Sequence, residues 1–145
     1  RLFTEVREKR GLCYSVGASM RSLKTHGSVF CYAGTSADRA QETLDVIIAE
    51  LLKLSKGIES KELDRLKAKM KSSLIMSQES SMARAGALAR DWYHLNRTRS
   101  LDEIAAAVDR LSPTSINDHL QQHPPGEFTV VTLGPQSLEV PDAVL

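Results

Sequence analysis

Apolar and polar residues alternate over residues 12–23, a period-two pattern that is typical of a half-buried β-strand. Residues 24–27, Lys-Thr-His-Gly, predict a turn, and residues 28–35 predict a second strand that returns antiparallel to the first. Ahead of this hairpin, residues 2–10 have a short helical pattern, which we expect to end at Gly11 in a left-handed turn. The start of the chain therefore predicts a short helix followed by a β-hairpin.

The two cysteines are expected to be reduced packing residues. With a turn at residues 24–27, Cys31 would face Met20 rather than Cys13. At about 3.3 Å per residue, the cysteines would then lie roughly 20 Å apart along the ribbon, which is too far for a disulfide.

The apolar spacing becomes helical at residue 36 and stays so for about ninety residues. Apolar stripes of the first and fourth helices are expected to be buried, Leu111 among them, and Trp92 of the third is interpreted as a core aromatic. Residues 124–126, Pro-Pro-Gly, break the last helix, and residues 127–133 predict a final strand. Capping residues and a proline divide the helical part into five helices, which start at or near Ser36, Ser60, Ser80, Ser100 and Ser112.

This order of elements predicts an α+β fold, an antiparallel sheet with helices packed on one face. Residues 1–135 would form the domain, truncated at its amino end, and residues 136–145 a loose tail. A hairpin and one distant strand make a thin sheet for five helices. Either strands from an absent amino-terminal part complete the sheet, or its exposed edges allow self-association.

Composition excludes few classes of function. The 145 residues include 19 basic and 18 acidic ones, a formal charge of +1, so nothing favours a nucleic-acid partner. No stretch approaches the roughly eighteen apolar residues that span a membrane. We expect a soluble protein without a membrane partner, with the cytoplasm favoured over the periplasm. The chain opens on Arg1, which suggests an excised piece, so the lack of a targeting segment says little about the compartment.

Residues 1–16, RLFTEVREKRGLCYSV, closely resemble a signature of the M16 (pitrilysin, insulinase and mitochondrial-processing-peptidase-like) zinc peptidases, SRLFxEVREKRGLAYSV. Cys13 stands where alanine is usual in that signature. Residues 60–79, residues 100–112 and the closing FTVVTLGP of residues 128–135 are also similar to the family. The resemblance runs over nearly the whole chain and implies the carboxy-terminal half of such a peptidase.

The resemblance implies a clamshell of two similar halves, in which the carboxy-terminal half supplies an arginine and a tyrosine to the substrate. In this sequence Arg7 and Tyr14 occupy those catalytic positions, Arg7 for substrate binding and Tyr14 for oxyanion stabilisation. A phenol hydroxyl near the carbonyl oxygen donates a hydrogen bond that strengthens as negative charge develops there. A guanidinium fork suits the holding of a peptide backbone. The residues alone leave open that Arg7 only favours a helix end and that Tyr14 is a core aromatic.

The resemblance also implies zinc as the cofactor of the parent protein, bound by an HxxEH motif and a further glutamate of the amino-terminal half. No HxxEH occurs in this chain, so the ligands are expected outside it. The nearest pattern joins His119 to His123 but has Gln122 at the glutamate position, and glutamine cannot act as a general base. We interpret this pair as a surface coincidence.

The favoured hypothesis is therefore a fragment of a zinc metalloendopeptidase that is inactive alone. Its partners would be a peptide substrate and the amino-terminal zinc-bearing half or a partner subunit. Two alternatives remain: a non-catalytic M16-like structural subunit, and an α+β interaction domain that binds through its sheet edge.

Overall fold

The computed structural model describes residues 1–141, which form a β-hairpin and five α-helices after a short π-helix. This is the predicted α+β class. The chain divides into two compact units, the first made of Arg1–Ser22, His26–Lys56 and the described residues from Leu120, the second of Leu23–Thr25 and Gly57–His119. The elements are the π-helix Phe3–Glu8, β1 (Ser15–Ser22), β2 (Gly27–Gly34), α1 (Ala40–Leu52), α2 (Ser60–Ser77), α3 (Ser81–Leu95), α4 (Leu101–Arg110) and α5 (Pro113–Gln122), with 3₁₀ turns at Ala37–Arg39 and Lys53–Lys56.

The core of the first unit lies at the base of the hairpin. Val6 of the π-helix is fully buried, and it packs with the buried Leu12 and Cys13 of the connection to β1. Side chains from both strands and from α1 pack against this cluster; they are Val16, Ala33, Val46 and Ile47. The helix, the ribbon and α1 therefore meet around one small apolar centre.

The predicted hairpin forms, but its register differs by two residues from the expected one. The ladder runs from Ser15 opposite Gly34 to Ser22 opposite Gly27, so the loop consists of residues 23–26. Cys31 consequently pairs with Ala18 rather than with Met20. The prediction was wrong because Gly27 belongs to β2 and not to the turn. Both cysteines are free thiols.

The outer part of the ribbon is exposed on both faces, which corrects the expectation of a half-buried strand. From Ala18 onward every β1 residue is exposed, and Met20 is 75% exposed. Val29 and Phe30 of β2 are exposed in the same way. Alternation identifies the apolar face of a strand, but burial needs a second layer against that face. The expected self-association through the ribbon edges stays a prediction.

The second unit is helical, and its helix boundaries follow the predicted caps. Ser80 and Ser100 accept hydrogen bonds from the backbone N–H groups of Ala83 and Glu103, at 3.2 and 3.1 Å. Leu63 of α2 is only 2% exposed, and α2 contacts α4. The predicted starts of α2 to α5 are therefore confirmed to within one residue, whereas α1 begins at Ala40, after a 3₁₀ turn at Ala37–Arg39 that follows the predicted start at Ser36.

An ion pair fixes the connection between α3 and α4. The buried carboxylate of Asp91 accepts hydrogen bonds from the backbone N–H of Arg99 at 3.0 Å and from its guanidinium at 2.6 Å. These bonds hold the pKa of the Asp91 carboxyl below its usual value. The chain can turn this tightly because Asn96 ends α3 in the left-handed conformation, with φ of 53°.

The apolar stripes of α1 and α4 are mostly buried or half-buried as expected, but two helical residues that were expected inside are exposed. Trp92, interpreted as a core aromatic, is 64% exposed, and Leu111, expected to be buried, is 37% exposed. Leu66 and Met70 of α2 are also more than two-fifths exposed. Helical spacing places these residues on one side of a helix, but the described residues do not cover that side.

The predicted last strand is not present in the part of the chain that the structure describes. Residues 127–133 have no strand assignment, and Val131 and Leu133 are fully or almost fully exposed. This prediction was wrong because Thr- and Val-rich composition favours a strand only where a neighbouring strand offers backbone hydrogen bonds. The expected boundary at residue 135 stays a prediction, and residues 142–145 of the expected tail lie outside the described residues.

No helix among residues 1–141 has the length and apolar character that a membrane crossing requires.

Candidate functional site

Arg7 lies in the last turn of the π-helix and its side chain is exposed. The wider turn of this helix is visible in the hydrogen bond from the Lys9 N–H to the Thr4 carbonyl, five residues back, at 2.9 Å. The Arg7 guanidinium carbon lies 5.0 Å from the centre of the Phe3 ring. This cation–π contact limits the directions in which the guanidinium can point.

Gly11 reverses the chain between Arg7 and Tyr14. Its φ of 59° is the left-handed conformation that glycine adopts without a steric penalty. The Gly11 N–H donates to the Arg7 carbonyl and the Leu12 N–H donates to the Val6 carbonyl, both at 3.0 Å. On the other side of the reversal, the Arg39 guanidinium donates to the Gly11 carbonyl at 2.7 Å. The path from Arg7 to Tyr14 is therefore fixed by backbone hydrogen bonds.

The segment between the two residues is also attached to the start of α1. The Leu12 carbonyl accepts a hydrogen bond from the Thr35 hydroxyl, and the buried Thr43 hydroxyl lies 3.3 Å from the same oxygen. Burial raises the pKa of the neighbouring Cys13 thiol, while the positive charge of Arg7 opposes that rise. The hydrogen bonds to the Leu12 carbonyl thus fix the residues that precede Tyr14.

Tyr14 stands just before β1, and its backbone joins the end of the ladder. Its N–H donates to the Gly34 carbonyl at 3.0 Å. The side chain is 74% exposed, so the expectation of a core aromatic is excluded. The aromatic ring lies directly against Gly34: a Cβ atom on that glycine would be 2.6 Å from both the Tyr14 Cζ and its hydroxyl oxygen. The phenol therefore occupies space that only glycine leaves open.

A cleft of about 300 Å³ lies beside Tyr14 within the first unit. Its lining also includes small residues from the end of β2 to the start of α1, and residues 132–136 with Leu138. The latter segment is held by Gln41, whose side-chain amide donates to and accepts from the backbone of Glu139, at 2.9 Å each.

The described residues do not fit zinc. No group of three or more His, Cys, Asp or Glu side chains that could hold a metal ion occurs within residues 1–141. A protein zinc site needs at least three such ligands, so the pair His119 and His123 does not make one.

Arg7 follows the buried Val6 in the chain and Tyr14 follows the buried Cys13, so each is next in sequence to a member of the cluster at the base of the ribbon. Gly34 and the cleft were not found from the sequence. The signal for Gly34 was a glycine at the end of a strand pattern, which marks a close approach of another group. Identifying Tyr14 as that group required the correct strand register.

The chain is similar in sequence to known proteins. Residues 1–70 match the family model described as the Peptidase M16 inactive domain. The chain is 32% identical over 136 residues to the uncharacterized zinc protease YmxG of Bacillus subtilis, covering 93% of this chain and 33% of that protein. It is 26% identical over 136 residues to an uncharacterized zinc protease of Mycobacterium tuberculosis, covering 93% of this chain and 31% of that protein. The chain thus spans about a third of the length of these relatives.

Solved structures share the fold. A crystal structure of a peptidase M16 inactive domain from Pseudomonas fluorescens superposes with a TM-score of 0.72 and 25% identity, over 84% of this chain and 29% of that one. A chain of Complex III2 from Candida albicans gives a TM-score of 0.72 at 20% identity, over 84% of this chain and 29% of that one. With the match of the amino-terminal segment and the identity to YmxG over nearly the whole chain, these results support an M16 peptidase family carboxy-terminal domain.

Proposed function

We propose that this chain is part of the carboxy-terminal half of a zinc metalloendopeptidase, in which Arg7 binds the peptide and Tyr14 stabilises the transition state. One observation carries the proposal: a hydrogen-bonded reversal at Gly11 connects two exposed side chains, Arg7 and Tyr14, beside the buried cluster at the base of the ribbon. A peptide bound in the other half of the protein can contact these side chains because they are exposed, and their fixed backbone keeps them in position.

Tyr14 is suited to stabilise negative charge. Hydrolysis of a peptide bond develops negative charge on the carbonyl oxygen, and a phenol held nearby donates a hydrogen bond that strengthens as the charge grows. The Tyr14 ring is held on Gly34 and its backbone is held by the ladder, so little reorganisation is needed when the reaction occurs. The exposed face of the ring borders the cleft.

Arg7 is suited to hold the peptide. Its guanidinium is a fork of donors that stays charged at all physiological pH values, and it can bind backbone carbonyl groups. The contact with Phe3 restricts its rotamers and so reduces the entropy lost when substrate binds.

The zinc of the complete protein would be held by residues outside this chain, since the described residues do not fit it and the relatives are named zinc proteases. We expect the full-length protein to hydrolyse peptides, a chelator to abolish this activity and added zinc to restore it. The 145-residue chain alone should give no hydrolysis above a protein-free control. Fluorogenic peptides of mixed sequence would be the substrates. Cleavage by the chain alone, or activity that resists chelation, would contradict the proposal.

Replacing Arg7 by Ala in the full-length protein is expected to lower kcat/KM by about 10- to 100-fold, because charged hydrogen bonds to the peptide are lost. Arg7→Lys should recover only part of the loss, since an ammonium group keeps the charge but not the fork.

Arg10→Ala is the matched control for that experiment. Arg10 is exposed in the same segment, but its guanidinium is bonded to the Glu5 carbonyl and carboxylate. Steady-state kinetics should leave this control within about twofold of the unmodified protein, as for other exposed ion pairs. Equal losses in Arg7→Ala and Arg10→Ala would remove the assignment of Arg7.

A non-catalytic partner subunit is the second candidate, because the matching family model is described as an inactive domain. In that case the full-length protein would fold and bind zinc, but it would cleave no member of a broad peptide library.

A further inference from the structure

We propose that Gly34 is a positioning residue for the Tyr14 phenol, and that its lack of a side chain is what places the hydroxyl in the site. This inference rests on the function proposed above for Tyr14. Gly34 ends β2 and Tyr14 stands just before β1, where the Tyr14 N–H donates to the Gly34 carbonyl at 3.0 Å. They are therefore in contact through both the backbone and the ring.

The glycine is needed for space and not for backbone conformation. The described glycines with positive φ are Gly11 and Gly57, so Gly34 has a conformation that alanine can also adopt. A Cβ at Gly34 would nevertheless lie 2.6 Å from the Tyr14 hydroxyl oxygen and 2.9 Å from the Ser15 hydroxyl oxygen. These distances are far inside van der Waals contact, so the aromatic ring would have to move.

An added methyl group at Gly34 can push the ring outward from this position, because Tyr14 is largely exposed and solvent lies on its other side. Alanine at Gly34 should therefore displace the phenol while the ribbon stays folded. A displacement of about 1 Å at a catalytic group can lower turnover by roughly 10²-fold. The Gly34→Ala substitution should therefore affect kcat more than the free energy of unfolding.

The same ribbon contains a matched control. Gly17 lies opposite Tyr32 in the ladder, and a Cβ at Gly17 would be 3.1 Å from the Tyr32 ring. Gly17→Ala makes the same chemical change in the same sheet and crowds a tyrosine that has no role in the proposed site. A general effect of alanine on the ribbon would appear in both variants.

The test is a double-mutant cycle on kcat of the full-length protein, with Gly34→Ala, Tyr14→Phe and both together. We expect Gly34→Ala to lower kcat by about 10²-fold with little change in KM, and Gly17→Ala to stay within about threefold. The double variant should be no slower than Tyr14→Phe, because the displaced hydroxyl is already absent. Additive losses, or equal losses in the two glycine variants, would overturn the inference.

The outcomes also separate this inference from the function on which it rests. Normal kcat in Tyr14→Phe would refute the role of Tyr14 itself. Reduced kcat in Tyr14→Phe together with normal kcat in Gly34→Ala would refute only the role of Gly34.

A second measurement applies if Gly34→Ala unfolds the protein. Urea denaturation of the 145-residue chain would measure the change in midpoint caused by Gly34→Ala twice, once with Tyr14 present and once in a Tyr14→Ala background. Steric contact with the ring predicts a larger lowering of the midpoint when Tyr14 is present, since the contact with the Ser15 hydroxyl is the same in both backgrounds. The same lowering in both backgrounds would contradict the contact.

Discussion

Tyr14→Phe is expected to lower kcat of the full-length protein by about 10²- to 10³-fold, the usual loss when one oxyanion donor is removed. KM should change little, because the hydrogen bond is strongest in the transition state. Stability should also be preserved, since the side chain is 74% exposed and phenylalanine keeps the ring on Gly34. Stopped-assay kinetics at saturating peptide, with thermal melting of the same samples, would measure both quantities.

Tyr32→Phe is the control for this result. Tyr32 lies in the same ribbon, is 52% exposed and rests on Gly17 in a similar way. Loss of its hydroxyl should leave kcat unchanged. If Tyr14→Phe and Tyr32→Phe behave alike, Tyr14 has no special part in the reaction.

Leu63→Ala should lower the free energy of unfolding of the 145-residue chain by about 2–5 kcal/mol. Leu63 is 2% exposed and is the largest fully buried side chain, so its removal leaves a cavity in the second unit. Loss of buried apolar area and of the contacts around it both contribute to the cost. Urea denaturation followed by circular dichroism would measure the shift of the midpoint, and this shift gives the change in the free energy of unfolding.

Leu66→Ala, in the next turn of α2, separates burial from helix propensity. Leu66 is 47% exposed, so the same chemical change should cost less than about 1 kcal/mol. A loss as large as that of Leu63→Ala would mean that the exposed side of α2 is covered in solution.

The sequence predicts the helices well because their ends are marked by local chemistry. Ser80 and Ser100 cap helices in the structure as their side chains suggest, and Pro113 begins α5. The errors concern contacts between distant parts of the chain. Residues 127–133 have the composition of a strand but have no partner strand among the described residues. Trp92 lies on an apolar stripe, yet the stripe is exposed.

The candidate site was predicted to a similar extent. The resemblance identified Arg7 and Tyr14, and the reversal at Gly11 followed from the properties of glycine. Gly34 could not be predicted, because a two-residue error in register put a different residue beside Tyr14. Side-chain neighbours across a hairpin depend entirely on register, so small errors at the turn are carried to the far end of the ladder.

The direction in which the Arg7 side chain leaves the π-helix depends on the number of residues in one helical turn. An α-helix advances about 100° per residue around its axis. Deletion of one residue between Thr4 and Arg7 would let the turn tighten into an α-helix and rotate the guanidinium by about that angle. Point substitutions on the outer surface of this helix leave that angle unchanged. The length of this segment therefore constrains the pair more strictly than the identity of its exposed side chains.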